Sequence, residues 1–150
     1  DLNGNTTKYA EFNFKSDPEA AAIVFKYIPA NKITMVSWTL TCKYIIKDDL
    51  LKELFCSNGT VMERWLNDTW KPAIRFNVDK ALTADPLAAL VACYGDKAIK
   101  AVVRAKIDIV LSGEKVAASV PTPDEDGVHI IDAIDFDFYI KVLRDLLKYK

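Results

Sequence analysis

The last third of the chain constrains the fold most. In "AVVRAKIDIVL" (101–111), "KVAASV" (115–120) and "GVHIIDAID" (127–135), apolar and polar side chains alternate. A period of two sends successive side chains to opposite faces of a strand. Gly113 and "PTPDEDG" (121–127) read as turns between these runs. Together they predict antiparallel strands with one buried and one wet face.

Upstream, the pattern is mostly helical. Asp17-Pro18-Glu19 is a helix start: an acidic cap, proline in the first turn, then a carboxylate facing the positive end of the dipole. The mostly apolar run from Glu19 to Tyr27 predicts a helix buried against a sheet. "PAN" breaks it, and "KITMVSWTL" (32–40), rich in β-branched and aromatic residues, reads as a strand. "DDLLKELF" (48–55) has helical spacing with Asp48 as cap, and "SNGT" (57–60) is a turn. "TVMERWLNDTW" (60–70) is a second helix ending before Pro72. In "ALTADPLAALVACYGD" (81–96), Thr83 or Ala84-Asp85 precedes Pro86 at a helix start, and Gly95 closes that helix as a left-handed cap. The final segment, "DFDFYIKVLRDLLKYK" (135–150), is an amphipathic helix with acid early and lysine late. No internal repeat, low-complexity tract or linker interrupts the chain. The expectation is an α/β fold in which residues 1–150 form a single unit, an open sheet flanked by helices with antiparallel strands and a terminal helix.

Bulk properties narrow the function. The chain has 150 residues, 51% hydrophobic and 27% charged, with a net charge of −1. That suits a globular, soluble domain and gives no general argument for nucleic acid or an anionic membrane as partner. No run reaches the ~18 apolar residues that would span a bilayer. No signal-peptide pattern begins the chain, although one removed before residue 1 would leave no trace. Cys42, Cys56 and Cys93 contain no C-x-x-C and read as reduced apolar filler. Three N-x-T sequons, at Asn5, Asn58 and Asn67, favour a secreted origin over a cytoplasmic one.

Common catalytic signatures are missing: no G-x-S-x-G, no Walker loop, no G-x-G-x-x-G and no H-E-x-x-H. His129 is the only histidine and lies in an alternating strand pattern, where a structural role is the ordinary one. Oxygen chemistry remains. Asn5, Glu11 and Asn13 gather amide donors and a carboxylate within nine residues. If residues 10–14 are extended, Glu11 and Asn13 share a face. A carboxylate beside an amide suits a sugar hydroxyl, which both donates and accepts. The same groups could instead cap neighbouring turns. Asp85 has the same ambiguity, between a helix cap and a carboxylate at the ligand-binding edge of a sheet.

These segments resemble the inosine–uridine nucleoside hydrolase family, in its animal-type variant. "GNTTKYAEFNFKSDPEAAAIVF" is similar to the family's G-N-x-T-x-x-A-E-F-N followed by D-P-E-A-A. "ITMVSWTLTC" resembles the strand that follows, "ADPLAAL" its later D-P-L-A segment, and "IDAIDFDFYIKVLRDLL" its closing strand and helix. The resemblance covers essentially the whole chain. It implies hydrolysis of the N-glycosidic bond of ribonucleosides, with a calcium ion holding the ribose 2′ and 3′ hydroxyls and activating a water. It also implies that Asn5, Glu11 and Asn13 bind ribose hydroxyls, the latter two at the 5′ end. Phe12 would lie beside the nucleoside, and Asp85 would ligate calcium and touch the ribose. A glycan on Asn5 would then block the site. Family members are commonly homo-oligomers.

The chain departs from the family pattern in two places. The D-x-D-x-x-x-D-D loop, which supplies most calcium ligands and the general base, does not occur. The chain therefore resembles the C-terminal half of the family, with no certain catalytic residue of its own and an N-terminal half required as partner. One aspartate cannot replace a hard-cation site that takes roughly six or more oxygens. Ala84 stands where many members carry a histidine that protonates the leaving group. Trp65 and Trp70 are alternatives for contacting the base, with core packing the other reading of each. The rival to a hydrolase is a non-catalytic protein that binds ribose or nucleosides, stores material or interacts with partners while keeping the fold.

Overall fold

The computed structural model describes residues 4–55, 59–75 and 80–148, without the side chains of Asp48, Phe55 and residues 70–75. In chain order the elements are α1 (Phe12–Ser16), α2 (Pro18–Tyr27), β1 (Thr34–Met35), α3 (Trp38–Lys43), β2 (Ile46–Lys47), α4 (Asp48–Phe55), α5 (Val61–Arg75), β3 (Lys80–Ala81), α6 (Ala84–Tyr94), β4 (Ile99–Ile109), β5 (Ser119–Pro123), β6 (Val128–Ile134) and α7 (Phe136–Leu147). The fold is mixed α/β, with a four-stranded sheet, flanking helices and a terminal helix. Contacts divide the chain into two compact units, residues 1–40 with 99–133, and residues 41–98 with 134–150.

The first unit is built on the sheet, in the order β1-β6-β4-β5. β1 runs parallel to β6, with Thr34 opposite His129 and Met35 opposite Ile130, while β4 and β5 are antiparallel. Ala105, Ile107 and Val128 form its core, and Phe25, Ile33, Met35 and Ile130 pack against them. Each large apolar side chain so buried contributes roughly 1.5–3 kcal/mol.

Helix α2 starts as the sequence predicts: the Asp17 side chain accepts from the Ala20 N–H at 2.8 Å, with Pro18 in the first turn. Its burial is a different matter. No residue of α2 is fully buried, and Ile23, Val24 and Tyr27 stand exposed. The helix packs on β4 along one side only, because the apolar run exceeds what a single sheet contact can cover.

The strand expected over 32–40 is also corrected. β1 stops at Met35, and Trp38–Lys43 is helical. The Ser37 hydroxyl accepts from the Leu40 N–H at 3.2 Å, the bond of an N-cap serine to the third helical residue. A cap of this kind outweighs the strand preference of the β-branched and aromatic residues around it.

A third correction concerns "KVAASV" and "PTPDEDG". Residues 114–117 form a turn, and Pro121 and Pro123 lie within β5 rather than in the turn after it. Val110 N–H donates to Ala118 carbonyl and Asp124 N–H to Arg104 carbonyl, at 3.0 and 3.2 Å. Even-numbered residues of this segment thus face β4, so both proline nitrogens point away from the ladder. Proline breaks no sheet bond there. The turn itself shrinks to Asp124–Gly127, closed by Gly127 N–H to Asp124 carbonyl at 3.0 Å.

In the second unit, β2 and β3 pair antiparallel, with Ile46 opposite Ala81. Helices α4, α5, α6 and α7 surround a core that includes Leu51, Leu54, Leu87, Leu90, Tyr139 and Ile140. Thr60 and Glu63 form a reciprocal capping box at the start of α5: Glu63 N–H to Thr60 Oγ1 at 3.1 Å, Thr60 N–H to Glu63 Oε2 at 2.6 Å. That helix does not end before Pro72 but continues to Arg75. Proline's own φ is helical, so the chain passes it at the cost of one backbone bond. α7 begins at Asp135, whose side chain accepts from Phe138 N–H at 2.9 Å. It is tied to α4 by a two-pronged ion pair, Arg144 Nε to Glu53 Oε1 at 2.5 Å and Nη2 to Oε2 at 2.8 Å. Gly95 ends α6 with φ of 51°, the positive value expected of a glycine stop, and its N–H returns to Val91 carbonyl.

Three smaller expectations also change, and others fall outside the described residues. Cys42 and Cys93 are exposed thiols rather than apolar filler, and Cys56 lies outside the described residues. Asn67 sits on α5 at 8% exposure, so its amide is closed to a glycan. The Asn58 sequon lies outside the described residues, as do the Asp48 side chain, expected to cap α4, and the ring of Trp70. Trp65 is 60% exposed and is not core.

Candidate functional site

The polar loop that opens the first unit is built by its backbone. The N–H groups of Asn5, Thr6 and Thr7 converge on the carbonyl of Ala10 at 3.2–3.4 Å, and Gly4 N–H donates to Lys8 carbonyl at 3.1 Å. Ala10 is completely buried. Thr7 Oγ1 accepts from the N–H groups of Tyr9 and Ala10, at 3.2 and 3.0 Å. A Cβ on Gly4 would stand 2.2 Å from the Thr7 carbonyl oxygen and 2.3 Å from that of Ala10. Only glycine lets the backbone fold this tightly. The ammonium groups of Lys8 and Lys115 lie 5.2 and 5.4 Å from the Tyr9 ring centroid, within cation–π range.

On this loop Asn5 and Glu11 act first as caps. Asn5 Oδ1 accepts from Phe12 N–H at 2.6 Å, closing the first turn of α1. Glu11 is the N-cap of α1 by backbone conformation, with φ −75° and ψ 148°. Its side chain nevertheless reaches across 27 residues, where Oε1 accepts from Trp38 N–H at 3.1 Å and caps α3. Each cap uses only one end of its side chain. Asn5 Nδ2 and Glu11 Oε2 have no partner among the described residues, leaving one donor and one acceptor held in place. That is the combination a hydroxyl group needs.

Partial burial disfavours the ionised form of Glu11 and raises its pKa above the ordinary value of 4.5, with the Trp38 N–H acting in the opposite sense.

Asn13 and Phe12 belong to the helix that follows. Residues 12–16 are helical, so the shared strand face proposed for Glu11 and Asn13 does not exist. The Asn5 cap starts a turn of helix before an extended segment can form. Asn13 is exposed and has no side-chain partner among the described residues, and Phe12 is 61% exposed. Phe14, on the same short helix, anchors α1 by packing edge-on to Phe25 at 5.9 Å. The structure thus brings Asn5, Glu11 and Phe12 together in one loop–helix junction, with Asn13 next to them in sequence.

Asp85 belongs to the second unit, on the first turn of α6. It is exposed and is not the cap; Thr83 occupies that position. The first intrahelical bond runs from Leu87 N–H to Thr83 carbonyl at 3.0 Å, so Pro86 sits where no backbone donor is needed. The carboxylate faces the positive end of the α6 dipole.

Calcium does not fit these residues alone. Among the described residues no group of three or more His, Cys, Asp or Glu side chains could hold a metal ion. Asp85 offers one carboxylate where a hard cation takes roughly six or more oxygens. No helix among these residues is long and apolar enough to cross a membrane.

The Thr7 turn and the Trp38 N–H went unread in the sequence. Thr6-Thr7 before a buried alanine carried a local hint of the first. Nothing local signalled the second, because Glu11 and Trp38 meet only in the folded chain.

Comparison with known proteins places the fold. Over 99% of its length the chain superimposes on an inosine–guanosine nucleoside hydrolase at 21% identity with a TM-score of 0.88, covering 49% of that protein. A plant nucleoside hydrolase gives 18% identity and a TM-score of 0.78, with 99% of this chain and 51% of that one covered. The chain therefore spans about half the length of these structures. No curated protein sequence matches it. The sequence profile described as inosine-uridine preferring nucleoside hydrolase matches residues 1–141, which takes in the Asn5–Asn13 loop and Asp85 alike. The chain belongs to the inosine–uridine preferring nucleoside hydrolase family.

Proposed function

We propose that this chain is the C-terminal portion of a nucleoside hydrolase that splits the N-glycosidic bond of ribonucleosides into ribose and free base, and that an N-terminal half completes the site. The observation that carries the reading is the family match over residues 1–141. Asn5, Glu11 and Asn13 grip the ribose hydroxyls, the latter two at the 5′ end. Phe12 lies beside the nucleoside. The caps described above support this assignment, since they immobilise Asn5 and Glu11 by one atom and leave the other for a sugar hydroxyl.

Asp85 supplies one ligand to a calcium ion whose other ligands come from the N-terminal half, as does the general base. Homo-oligomerisation is part of the same reading. With Ala84 in place of a leaving-group acid, departure of the base relies on groups outside residues 84–85.

The test is ribose release from inosine and uridine by this chain alone and by the chain joined with an N-terminal half, each with calcium and with a chelator. The joined protein is expected to be active and chelator-sensitive, and the chain alone inactive. In the joined enzyme, Glu11→Ala should raise KM and lower kcat, each by roughly tenfold or more if a charge-assisted bond to the ribose is lost. Unchanged kinetics in that variant would overturn the ribose assignment. A second reading, a nucleoside-binding, storage or interaction protein without catalysis, is favoured by Ala84 and by the lack of a ligating cluster among the described residues. It predicts nucleoside binding by the joined protein with no ribose release.

A further inference from the structure

Tyr9 lies within the Asn5 loop, and two ammonium groups stand within cation–π range of its ring. Lys8 is its chain neighbour, so that contact joins the loop only to itself. Lys115, 5.4 Å from the ring centroid, comes instead from the turn between β4 and β5. Loop and turn both belong to the first unit.

The turn is built to hold one shape. Ala118 N–H donates to the Lys115 carbonyl at 3.0 Å, Val116 N–H to the Gly113 carbonyl at 3.2 Å and Ala117 N–H to the Val110 carbonyl at 2.6 Å. Ala117 has φ of 67°, the one positive value at a non-glycine residue among the described residues. A side chain disfavours this left-handed conformation, which glycine adopts freely. Such strain persists only where the surroundings over-determine it, and it collects at functional sites. Ala117 and Ala118 are completely buried, so packing as well as hydrogen bonding fixes the backbone that follows Lys115.

On the loop side, Tyr9 is one residue from the atoms that set Asn5. The N–H groups of Tyr9 and Ala10 share Thr7 Oγ1, and the Ala10 carbonyl gathers the N–H groups of Asn5, Thr6 and Thr7. The Asn5 side chain in turn accepts from Phe12 N–H. A shift of Tyr9 therefore carries Ala10 and the Asn5 amide with it.

We propose that Lys115 is a positioning residue: from the rigid 114–117 turn its ammonium holds the Tyr9 ring, and this contact fixes the loop that presents Asn5. The effect on ribose rests on the proposed function, and the effect on the loop does not.

The test compares the wild type with Lys115→Met and Lys115→Arg. Methionine keeps an aliphatic stem and removes the charge, while arginine keeps a cation for the ring. In the chain alone, hydrogen exchange of the Asn5 and Phe12 amides should quicken about twofold to fivefold in Lys115→Met, the range of an exposed cation–π contact, and return to the wild-type rate in Lys115→Arg. Amides of β6 should keep their rates in all three proteins. Lys115→Met should add nothing in a Tyr9→Leu background. Unchanged exchange in the loop, an equal change at β6, or an undiminished Lys115 effect without the ring would each overturn the contact. If Tyr9→Leu fails to fold, the two Lys115 variants decide. In the chain joined with an N-terminal half, Lys115→Met should raise KM for inosine by a similar factor with kcat unchanged, since binding alone is loosened, and Lys115→Arg should restore it. A loosened loop with unaltered KM would overturn the positioning role. A joined protein that releases no ribose at all would count against the hydrolase reading, while the exchange rates still decide whether Lys115 holds the loop.

Discussion

Glu11 shows how one side chain can hold a distant helix start and, under the proposed function, keep an atom for the ribose. One carboxylate oxygen holds the start of α3 and the other is open to a ligand. Its raised pKa fixes the sign of a pH effect. Above pH 4.5 the unfolded carboxyl ionises while the folded one still holds its proton, so the native state binds more protons in that window. Stability from this group is therefore fully present below 4.5 and is lost as pH rises through the folded value. Urea unfolding of the wild type and of Glu11→Gln across pH 4 to 7 should show the wild type losing stability relative to the variant as pH rises. Parallel curves would mean that burial does not act on this carboxyl. Gly4 is the complementary case, a residue whose contribution is the absence of a side chain.

At the scale of elements, helix starts carry much of the specificity. Asp17, Ser37, Asp135 and the Thr60–Glu63 box each satisfy backbone donors that their helices leave unpaired. Asp17→Ala should cost about 0.5–2 kcal/mol in denaturant unfolding, and Asp17→Asn much less, because asparagine caps as well as aspartate. Equal losses in the two variants would assign the effect to charge at the helix dipole instead. The cap at Asp17, the start of α7 and the glycine stop at Gly95 were legible in the sequence because each lies within four residues of what it satisfies. The prolines of β5 were not. Their acceptability depends on which edge of the strand faces β4, and a local pattern carries no information about that.

For the whole molecule the governing fact is that the chain matches about half the length of its structural relatives. In the first unit Phe12, Ile23, Val24, Tyr27 and Ile28 are exposed together with Val102 and Val103 of β4. Under the proposed function an N-terminal half would be free to pack against some of these side chains. The proposed function divides the metal site in the same way. Isothermal titration of this chain with calcium should show no tight site, and joining an N-terminal half should create one. A tight site in the chain alone would overturn the sharing of ligands between halves.

The sequence by itself determined the class of fold, the strands β4 and β6, most helix starts, the family and the residue types at the loop proposed to bind ribose. These rest on periodicity, capping and a contiguous signature, all of which act over a few neighbouring residues. Tertiary structure alone decided that Trp38 begins a helix, that Asn5 and Glu11 are caps with one atom to spare, that α2 keeps apolar residues exposed and that Asn67 is buried. The physical reason is range. A hydrogen bond spanning 27 residues, or the choice of which helix face meets a sheet, is settled by partners distant in sequence that meet only once the chain has folded.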